Sequence, residues 1–259
     1  MLVAGIDIGS ITTEALLFDN DKGIVGYTIL QTGADSKKTA EIALEKVLSY
    51  PGKSASDISY TISTGCGRKR AAFAKESITE ITCIAKGVNF LFPEARTIID
   101  IGGQDTKVIR IDEKGRVVEF EMNDKCAAGT GRFIEVMAKA LNVELDKIGD
   151  ISLQHKKELT ISSICTVFAE SEVISLVSEG EELEDILYGI HKAIADRTMG
   201  LINRLGGVSP EVIMAGGVAK NIGVVKALEK VLGTPIKIHV EPQIIGALGA
   251  AILSLEKAS

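Results

Sequence analysis

Two short stretches of the sequence have residue types that can bind phosphate and a divalent metal ion. Residues 7–10 (Asp-Ile-Gly-Ser) and residues 100–103 (Asp-Ile-Gly-Gly) each follow an apolar run and combine an aspartate with a glycine turn. The backbone N–H groups of such turns can surround phosphate oxygens, and carboxylates can hold Mg²⁺ directly or through water. We therefore predict that Asp7 and Asp100 face Mg²⁺ and phosphate, and that Gln104 orients an attacking water.

These stretches belong to an internal repeat with an offset of 93 residues, the separation of Asp7 from Asp100. Each copy continues with two further apolar runs between turn residues. The runs lie at 15–18 and 24–30 in the first copy and at 108–111 and 116–122 in the second. Short apolar runs bounded by turns are typical of β-strands. The repeat therefore predicts a duplicated three-stranded unit with one phosphate turn in each copy.

A third glycine turn, at residues 216–221 (Gly-Gly-Val-Ala-Lys-Asn), lies between a predicted strand and a helix. Glycine has no side chain, so adenine or ribose can lie against the backbone there. Neither a P-loop nor a Rossmann sequence is present, which leaves the three glycine turns as the candidate nucleotide site. The remaining elements predicted from periodicity are helices at 38–48, 132–141, 183–205 and 246–255 and strands at 212–215 and 236–240.

Two of the four cysteines lie in stretches that could present a reactive thiolate. Cys126 lies within residues 122–133 and Cys165 within residues 162–172, and each is predicted to stand at the start of a helix. A helix N-terminus stabilises a thiolate, the form that binds metal ions. A buried structural cysteine is the alternative for either position. The apolar side chains predicted to pack the second helix are Phe168, Val173, Ile174 and Val177.

The composition argues against several classes of function. A net charge of -6 and an aromatic fraction of 4% do not suit a nucleic-acid partner. The apolar run at 244–255 is too short to cross a membrane, and no signal peptide is recognisable, so we expect a cytoplasmic protein without a membrane partner. The cysteines form no CxxC pair, which disfavours a single-chain zinc site. Residues expected to have structural or surface roles are Cys66, Cys83, His155, His191 and His239.

In this order, the three turns resemble the actin, Hsp70 and sugar kinase superfamily over the whole chain. The resemblance implies an α/β, duplicated two-lobed ATPase fold with ribonuclease H-like lobes, whose mixed sheets are flanked by helices and close on Mg-ATP. The first lobe would comprise residues 1–93 plus 244–259 and the second residues 94–243. From the sequence itself we expect the hinge at residues 92–94, because Pro93 closes the preceding element. The residues implied to contact ATP or ADP are Gly9, Ser10, Ile11, Thr12, Thr13, Gly102, Gly103, Gln104, Gly216, Gly217, Val218, Ala219, Asn221 and Gln243.

Four segments closely resemble the ATP-dependent activators of 2-hydroxyacyl-CoA dehydratases and of related benzoyl-CoA reductases. They are residues 100–105, 122–133, 165–172 and 216–219. The resemblance implies a homodimer with one [4Fe-4S] cluster, for which Cys126 and Cys165 of each chain supply the four thiolates. It also implies a ferredoxin or flavodoxin as electron donor and an iron–sulfur enzyme as acceptor. Four thiolates are what such a cluster requires, and a two-fold dimer supplies them from two per chain.

The chain departs from the pattern of these activators at two positions. Glu14 stands where many members have lysine, and Ile84 follows Cys83 where several have histidine. Two other functional classes remain as alternatives: a kinase that phosphorylates a sugar or a small acid, and a nucleotide-gated binding module without redox chemistry. Iron content and phosphorylation of an acceptor would distinguish them.

Overall fold

The computed structural model describes residues 1–50, 52–162 and 165–259. Its described strands form two five-stranded sheets. The first sheet has the order β3-β2-β1-β4-β5 and contains β1 (Leu2–Ile8), β2 (Thr12–Asp19), β3 (Gly23–Gln31), β4 (Ile58–Thr64) and β5 (Glu76–Ser77). The second has the order β10-β9-β6-β7-β8 and contains β6 (Thr97–Ile101), β7 (Thr106–Ile111), β8 (Val117–Asn123), β9 (Val212–Ala215) and β10 (Ile236–Ile238).

The two sheets are built on the same plan. In each, three consecutive strands lie side by side, and the fourth and fifth strands extend the sheet beyond the first strand of that triplet. In the first sheet, β1 pairs antiparallel with β2 and parallel with β4. The central strand β1 is almost entirely buried, which explains why it is a continuous apolar run rather than an alternating one. The predicted duplication of a three-stranded unit is confirmed.

Eight α-helices accompany these sheets in the described residues. They are α1 (Ser36–Ser49), α2 (Glu80–Leu91), α3 (Gly131–Ala140), α4 (Ile148–Ser152), α5 (Thr166–Ser178), α6 (Leu183–Arg204), α7 (Ile222–Leu232) and α8 (Ile245–Ala258). Local sequence sets several of their ends. The Asp35 side chain accepts a hydrogen bond at the start of α1, and Gly233, with φ 65°, ends α7. The four helices predicted from periodicity are confirmed.

The first sheet is covered on both faces. Alternate residues of β1 point to opposite sides, so Ala4 and Ile6 pack with α1 while Val3 packs with α8. A larger apolar cluster surrounds β6 and β9 and includes side chains of α3, α5, α6 and α7. The strand predicted at 236–240 ends two residues earlier, because Val240 is 92% exposed and has no apolar surface to cover.

The chain divides into two compact units. One comprises Met1–Ile98, Ile109–Val118 and His239–Ser259, and the other comprises Ile99–Val108 and Glu119–Ile238. The last helix, α8, therefore belongs to the unit that contains β1. The lobe bounds of 1–93 plus 244–259 and 94–243 stay a prediction.

Candidate nucleotide turns and cysteine loop

The first phosphate turn is closed by one backbone hydrogen bond and held by threonines. The Gly9 N–H donates to the Thr12 carbonyl over 2.9 Å. Thr32 Oγ1 donates to the Gly9 carbonyl over 2.8 Å and lies 2.9 Å from Thr13 Oγ1. Gln243 Nε2 donates to Thr12 Oγ1 over 3.4 Å, so a residue from the start of the C-terminal segment joins this turn. Of the remaining predicted residues here, Ser10 is exposed and Ile11 half-buried.

The Asp7 carboxylate lies against two glycines that leave room for it. A methyl group on Gly65, whose φ is 85°, would overlap Oδ1, and one on Gly246 would overlap Oδ2. Gly246 is the second residue of α8, so the carboxylate lies near the first turn of that helix. The Asp7 carboxylate therefore occupies the position predicted for a metal ligand with the start of α8 beside it.

A second carboxyl group, Glu14, lies directly across the strand pair from Asp7. Glu14 is only 4% exposed. Burial raises the pKa of Glu14 well above its ordinary value, and the negative charge of Asp7 raises that pKa further. We conclude that Glu14 holds a proton over a wider pH range than an exposed glutamate does.

The second phosphate turn repeats the geometry of the first. The Gly102 N–H donates to the Asp105 carbonyl over 2.9 Å, as Gly9 does to Thr12. Asp100, at the end of β6, is buried, and its Oδ2 lies 3.2 Å from Lys107 Nζ. Burial raises the pKa of Asp100, and the Lys107 ammonium counteracts that shift. Of the other predicted residues, Gly103 is half-buried and Gln104 exposed.

Lys107 is a residue that the sequence interpretation missed. It is 2% exposed, and its Nζ also lies 2.8 Å from Asp105 Oδ1. The repeat carries the signal that could have found it, since Lys107 follows Glu14 by the same 93 residues that separate Asp100 from Asp7. The two turns thus have the same closing backbone hydrogen bond but different charges nearby. Asp7 faces the carboxyl group of Glu14, whereas Asp100 and Asp105 face the Lys107 ammonium.

The third turn follows β9 and comes close to the second. Gly216 has φ 81°, and a methyl group on it would overlap the Ile101 carbonyl and lie 2.9 Å from Asp100 Oδ1. A 3₁₀-helix spans Gly217–Lys220, in which Val218 and Ala219 are buried and Gly217 is exposed. Asn221 then caps α7, because its Oδ1 accepts hydrogen bonds from the N–H groups of the second and third helical residues.

Cys126 lies in a loop, which corrects the prediction that it stands at the start of a helix. The helix α3 begins five residues later, at Gly131. The cause is the backbone of Gly129, whose φ of 88° prevents the helix from starting earlier. The Cys126 side chain is half-buried and packs against the apolar cluster that includes Ala169 and Val173 of α5.

Cys165 is the N-cap residue of α5, as predicted, and its carbonyl accepts a hydrogen bond from the Ala169 N–H over 3.1 Å. Helices α5 and α3 contact each other within one unit, so both cysteine segments lead into a shared core. Residues 163 and 164, which belong to the predicted cysteine stretch, lie outside the described residues. Glu172 accepts a hydrogen bond from the Ser162 N–H over 2.8 Å and ties α5 to the segment before that gap.

The predicted packing of α5 is wrong in three of four positions. Val173 is buried, but Phe168, Ile174 and Val177 are 67%, 52% and 51% exposed. Val167 is 65% exposed as well. The helix therefore presents an exposed apolar surface, defined by these four residues, that begins two positions after Cys165. We call it the α5 apolar surface.

The loop of Cys126 is hydrogen-bonded to the second phosphate turn. Thr130 Oγ1 lies 3.1 Å from the Gly103 carbonyl and 2.7 Å from the Ala127 carbonyl. Thr106 Oγ1 donates to the Gly129 carbonyl over 2.8 Å. At the start of α3, the N–H groups of residues 131 and 132 donate to the carbonyls of residues 102 and 103, each over 2.9 Å. The second phosphate turn and the loop that carries Cys126 are therefore joined by both side-chain and backbone hydrogen bonds.

The other two cysteines differ from one another. Cys83 is fully buried in α2, where burial raises the pKa of its thiol to about 12, consistent with a structural role. Cys66 is exposed, which a packing role does not explain.

No group of three or more metal-binding side chains occurs among the residues that the structure describes. Within the same described ranges, no helix has the length and apolar character that crossing a membrane requires.

Comparison with known proteins places these features in a family. A sequence model described as the BadF/BadG/BcrA/BcrD ATPase family matches residues 4–254. The activator of lactoyl-CoA dehydratase from Anaerotignum propionicum is 49% identical over 258 residues, covering 100% of this chain and 99% of that protein.

Solved structures agree with this result. The activator of the 2-hydroxyisocaproyl-CoA dehydratase from Clostridium difficile, solved with bound ADPNP, has a TM-score of 0.94 at 45% identity and covers 100% of this chain and 96% of that chain. A ROK family glucokinase from Streptomyces griseus is 12% identical with a TM-score of 0.62, covering 99% of this chain and 100% of that chain, and shares the fold alone. The predicted duplicated, actin-like ATPase fold is confirmed.

Proposed function

This chain belongs to the BadF/BadG/BcrA/BcrD ATPase family, and we propose that it is an ATP-dependent activator that delivers single electrons to an iron–sulfur enzyme of the 2-hydroxyacyl-CoA dehydratase type. One observation carries the proposal. The loop with Cys126 is hydrogen-bonded, through Thr130 and Thr106, to the turn assigned to phosphate. Because these hydrogen bonds join the two segments, nucleotide binding at the turn can change the position of Cys126.

The nucleotide assignment rests on the three turns. We assign the phosphates and Mg²⁺ to the turns at Gly9 and Gly102, with Asp7 and Asp100 near the metal ion. Gln104 is exposed on the second turn, where its amide is free to orient an attacking water. The adenosine is assigned to the turn at residues 216–221, where Gly216 and Gly217 have no side chain to cover the backbone. Asp100 has the Lys107 ammonium beside it, and Asp7 has the buried Glu14 across the strand pair.

The two cysteines have the chemistry that a [4Fe-4S] cluster requires. Cys126 and Cys165 are not in disulfides, and both are half-buried on segments that lead into helices in mutual contact. Each chain would supply two of the four thiolates, so two copies hold one cluster. When bound, the cluster would accept one electron from a ferredoxin or flavodoxin and yield it to the acceptor enzyme.

The α5 apolar surface supports the pairing of two copies. Val167, Phe168, Ile174 and Val177 are exposed on the helix that begins at Cys165, which supplies one of the two proposed cluster thiolates of this chain. Large exposed apolar patches commonly mark interaction sites, and burying them stabilises association by about 25 cal/mol per Å². A second copy of this chain, with its own Cys165, is the occupant that completes the ligand set.

ATP has a defined energetic task in this proposal. Raising the driving force of a one-electron transfer by about 300 mV takes roughly 7 kcal/mol, at about 1.4 kcal/mol for each 59 mV. Nucleotide binding and hydrolysis can supply an energy of that size. The similar proteins named as activators of lactoyl-CoA and 2-hydroxyisocaproyl-CoA dehydratases suggest the class of acceptor. A benzoyl-CoA reductase-type acceptor belongs to the same proposal.

Anaerobic reconstitution with iron and sulfide tests the ligand assignment. We expect a brown protein with four irons per two chains, and we expect Cys126→Ala and Cys165→Ala to lose the colour while still binding ATP. Cys66→Ala is the matched control, since it removes an exposed cysteine outside the two proposed ligand segments, and it should stay brown. A brown Cys126→Ala protein would contradict the assignment. Colourless wild-type protein that phosphorylates a sugar or small acid would favour a kinase instead.

A further inference from the structure

A buried histidine lies in a chain of hydrogen bonds that ends at the third turn. His191, in the middle of α6, is 0% exposed. Its Nδ1 lies 2.9 Å from Ser152 Oγ, and its Nε2 lies 3.2 Å from Asn221 Nδ2. Ser152 Oγ in turn donates to the Gly149 carbonyl over 2.7 Å. Three segments far apart in sequence are thus joined through one imidazole ring.

The donors and acceptors along this chain determine which ring nitrogen carries the proton. Asn221 Oδ1 accepts from the Gly223 and Val224 N–H groups over 3.0 and 3.2 Å, so the Asn221 amide must direct Nδ2, a donor, at the imidazole. His191 Nε2 is then an acceptor without a proton. Its Nδ1 carries the proton and donates to Ser152 Oγ, whose own hydrogen goes to Gly149. Burial lowers the pKa of His191 to about 3, which keeps the ring neutral.

The surrounding backbone is shaped to admit the ring. A methyl group on Gly223 would overlap His191 Nδ1 and Ser152 Oγ, so only glycine at this position lets the imidazole approach the first turn of α7. A methyl group on Gly149 would lie 2.9 Å from Asn221 Oδ1. The first approach places the imidazole against the start of α7, and the second places α4 against Asn221, which caps that helix.

Asn221 connects the hydrogen bonds of His191 to the turn at residues 216–221, which is assigned to adenosine. It ends the 3₁₀-helix of Gly217–Lys220, and its N–H donates to the Val218 carbonyl over 2.9 Å. It also begins α7. One residue thus bonds the preceding turn through its backbone N–H and α7 through its side-chain oxygen. Restraining the Asn221 amide therefore restrains the turn.

We propose that His191, as the neutral Nδ1–H tautomer, is a positioning residue that holds Asn221 and thereby sets the adenosine turn for nucleotide. This inference rests on the proposed function, because it takes residues 216–221 as the adenosine site. His191 does not contact nucleotide in this scheme. It acts through the Asn221 amide, and its effect is confined to ligands that carry a nucleoside.

Two substitutions of His191 separate this role from general packing. The amide oxygen of His191→Gln can take the place of Nε2 and accept from Asn221, whereas the shorter His191→Asn keeps only the contact with Ser152. The measurement is calorimetric affinity for Mg-ATP and for Mg-tripolyphosphate, which has phosphates but no adenosine. We expect His191→Asn to weaken ATP by about fivefold to tenfold, the loss of one neutral hydrogen bond, with tripolyphosphate affinity unchanged. His191→Gln should restore most of the ATP affinity.

Equal ATP affinity in the two variants, or equal losses for ATP and tripolyphosphate, would overturn the positioning role. The ¹⁵N shifts of labelled His191 in the wild-type protein test the tautomer even where a variant fails to fold, and a proton on Nε2 would also overturn it. Gly216→Val separates this failure from that of the proposed function. If wild-type protein does not bind ATP, or Gly216→Val binds it as well as wild type, the adenosine assignment itself is wrong.

Discussion

Replacing Thr130 tests whether the second phosphate turn and the Cys126 loop are mechanically coupled. The Thr130 side chain is fully buried, and its hydroxyl lies between the Gly103 carbonyl of the turn and the Ala127 carbonyl of the loop. Thr130→Val keeps the shape of the side chain and removes the hydroxyl. Thr130→Ser keeps the hydroxyl and removes one methyl group. The two variants therefore separate the hydrogen bond from the packing.

The expected cost to stability is small. Both carbonyls keep another donor in Thr130→Val: Gly103 accepts from the Arg132 N–H over 2.9 Å, and Ala127 from the Thr130 N–H over 3.0 Å. No carbonyl is left without a hydrogen bond, so the change should cost about 1 kcal/mol and lower Tm by roughly 2–4 °C in a chain of this size. The protein stays folded, and its response to nucleotide can be measured.

The assay is the alkylation rate of Cys126 in cluster-free protein with and without Mg-ATP, followed by peptide mass spectrometry, in a Cys66→Ala background. A coupling of about 1 kcal/mol changes this rate by about fivefold on ATP binding in the wild type. Thr130→Val should reduce the response without abolishing it, because the bond from Thr106 to Gly129 remains. Thr130→Ser should respond like wild type. An undiminished response in Thr130→Val, or an equal loss in Thr130→Ser, would refute the coupling.

Two further predictions concern the first turn. Because the folded-state pKa of Glu14 is raised, the folded protein keeps a proton that the unfolded chain releases, so stability falls as pH rises from the ordinary carboxyl pKa through the raised one. Glu14→Gln should flatten this decline in nucleotide-free denaturant titrations, and an unchanged slope would contradict it. Gly246→Ala should displace the Asp7 carboxylate and lower ATPase kcat/KM by about a hundredfold. Gly200→Ala in α6 has open space for its methyl group and should retain full ATPase activity; equal rates in these two variants would exclude the Asp7 effect.

The repeat made the fold predictable. The offset between Asp7 and Asp100 predicted two copies of a three-stranded unit, and both sheets have that unit. The strands β4 and β5 and the helices α2 and α4 were not predicted. The strand β5 has only two residues, and α4 has five, so neither is long enough to show a periodicity.

At the site, local motifs predicted the turns but not their surroundings. The glycines that admit Asp7 come from distant segments, which no local pattern records. Lys107 lies only seven residues after Asp100, and comparison of the two repeat copies could have found it. Cys126 was wrongly placed at a helix start, because the left-handed backbone at Gly129 outweighs the helical propensity of the alanines before it. The residues of the α5 apolar surface were expected in the core because the sequence pattern alone does not distinguish exposed from buried apolar positions of a helix.

Single-turnover electron transfer under anaerobic conditions tests the central claim most directly. The reconstituted protein is reduced, the excess reductant is removed, and a purified 2-hydroxyacyl-CoA dehydratase is added with Mg-ATP, Mg-ADP or no nucleotide. If ATP hydrolysis drives delivery, the visible spectrum of the reduced protein returns to the oxidised form rapidly with ATP alone, and the dehydratase becomes active. Equal transfer without nucleotide, or no transfer from a fully reduced protein with ATP, would contradict the account.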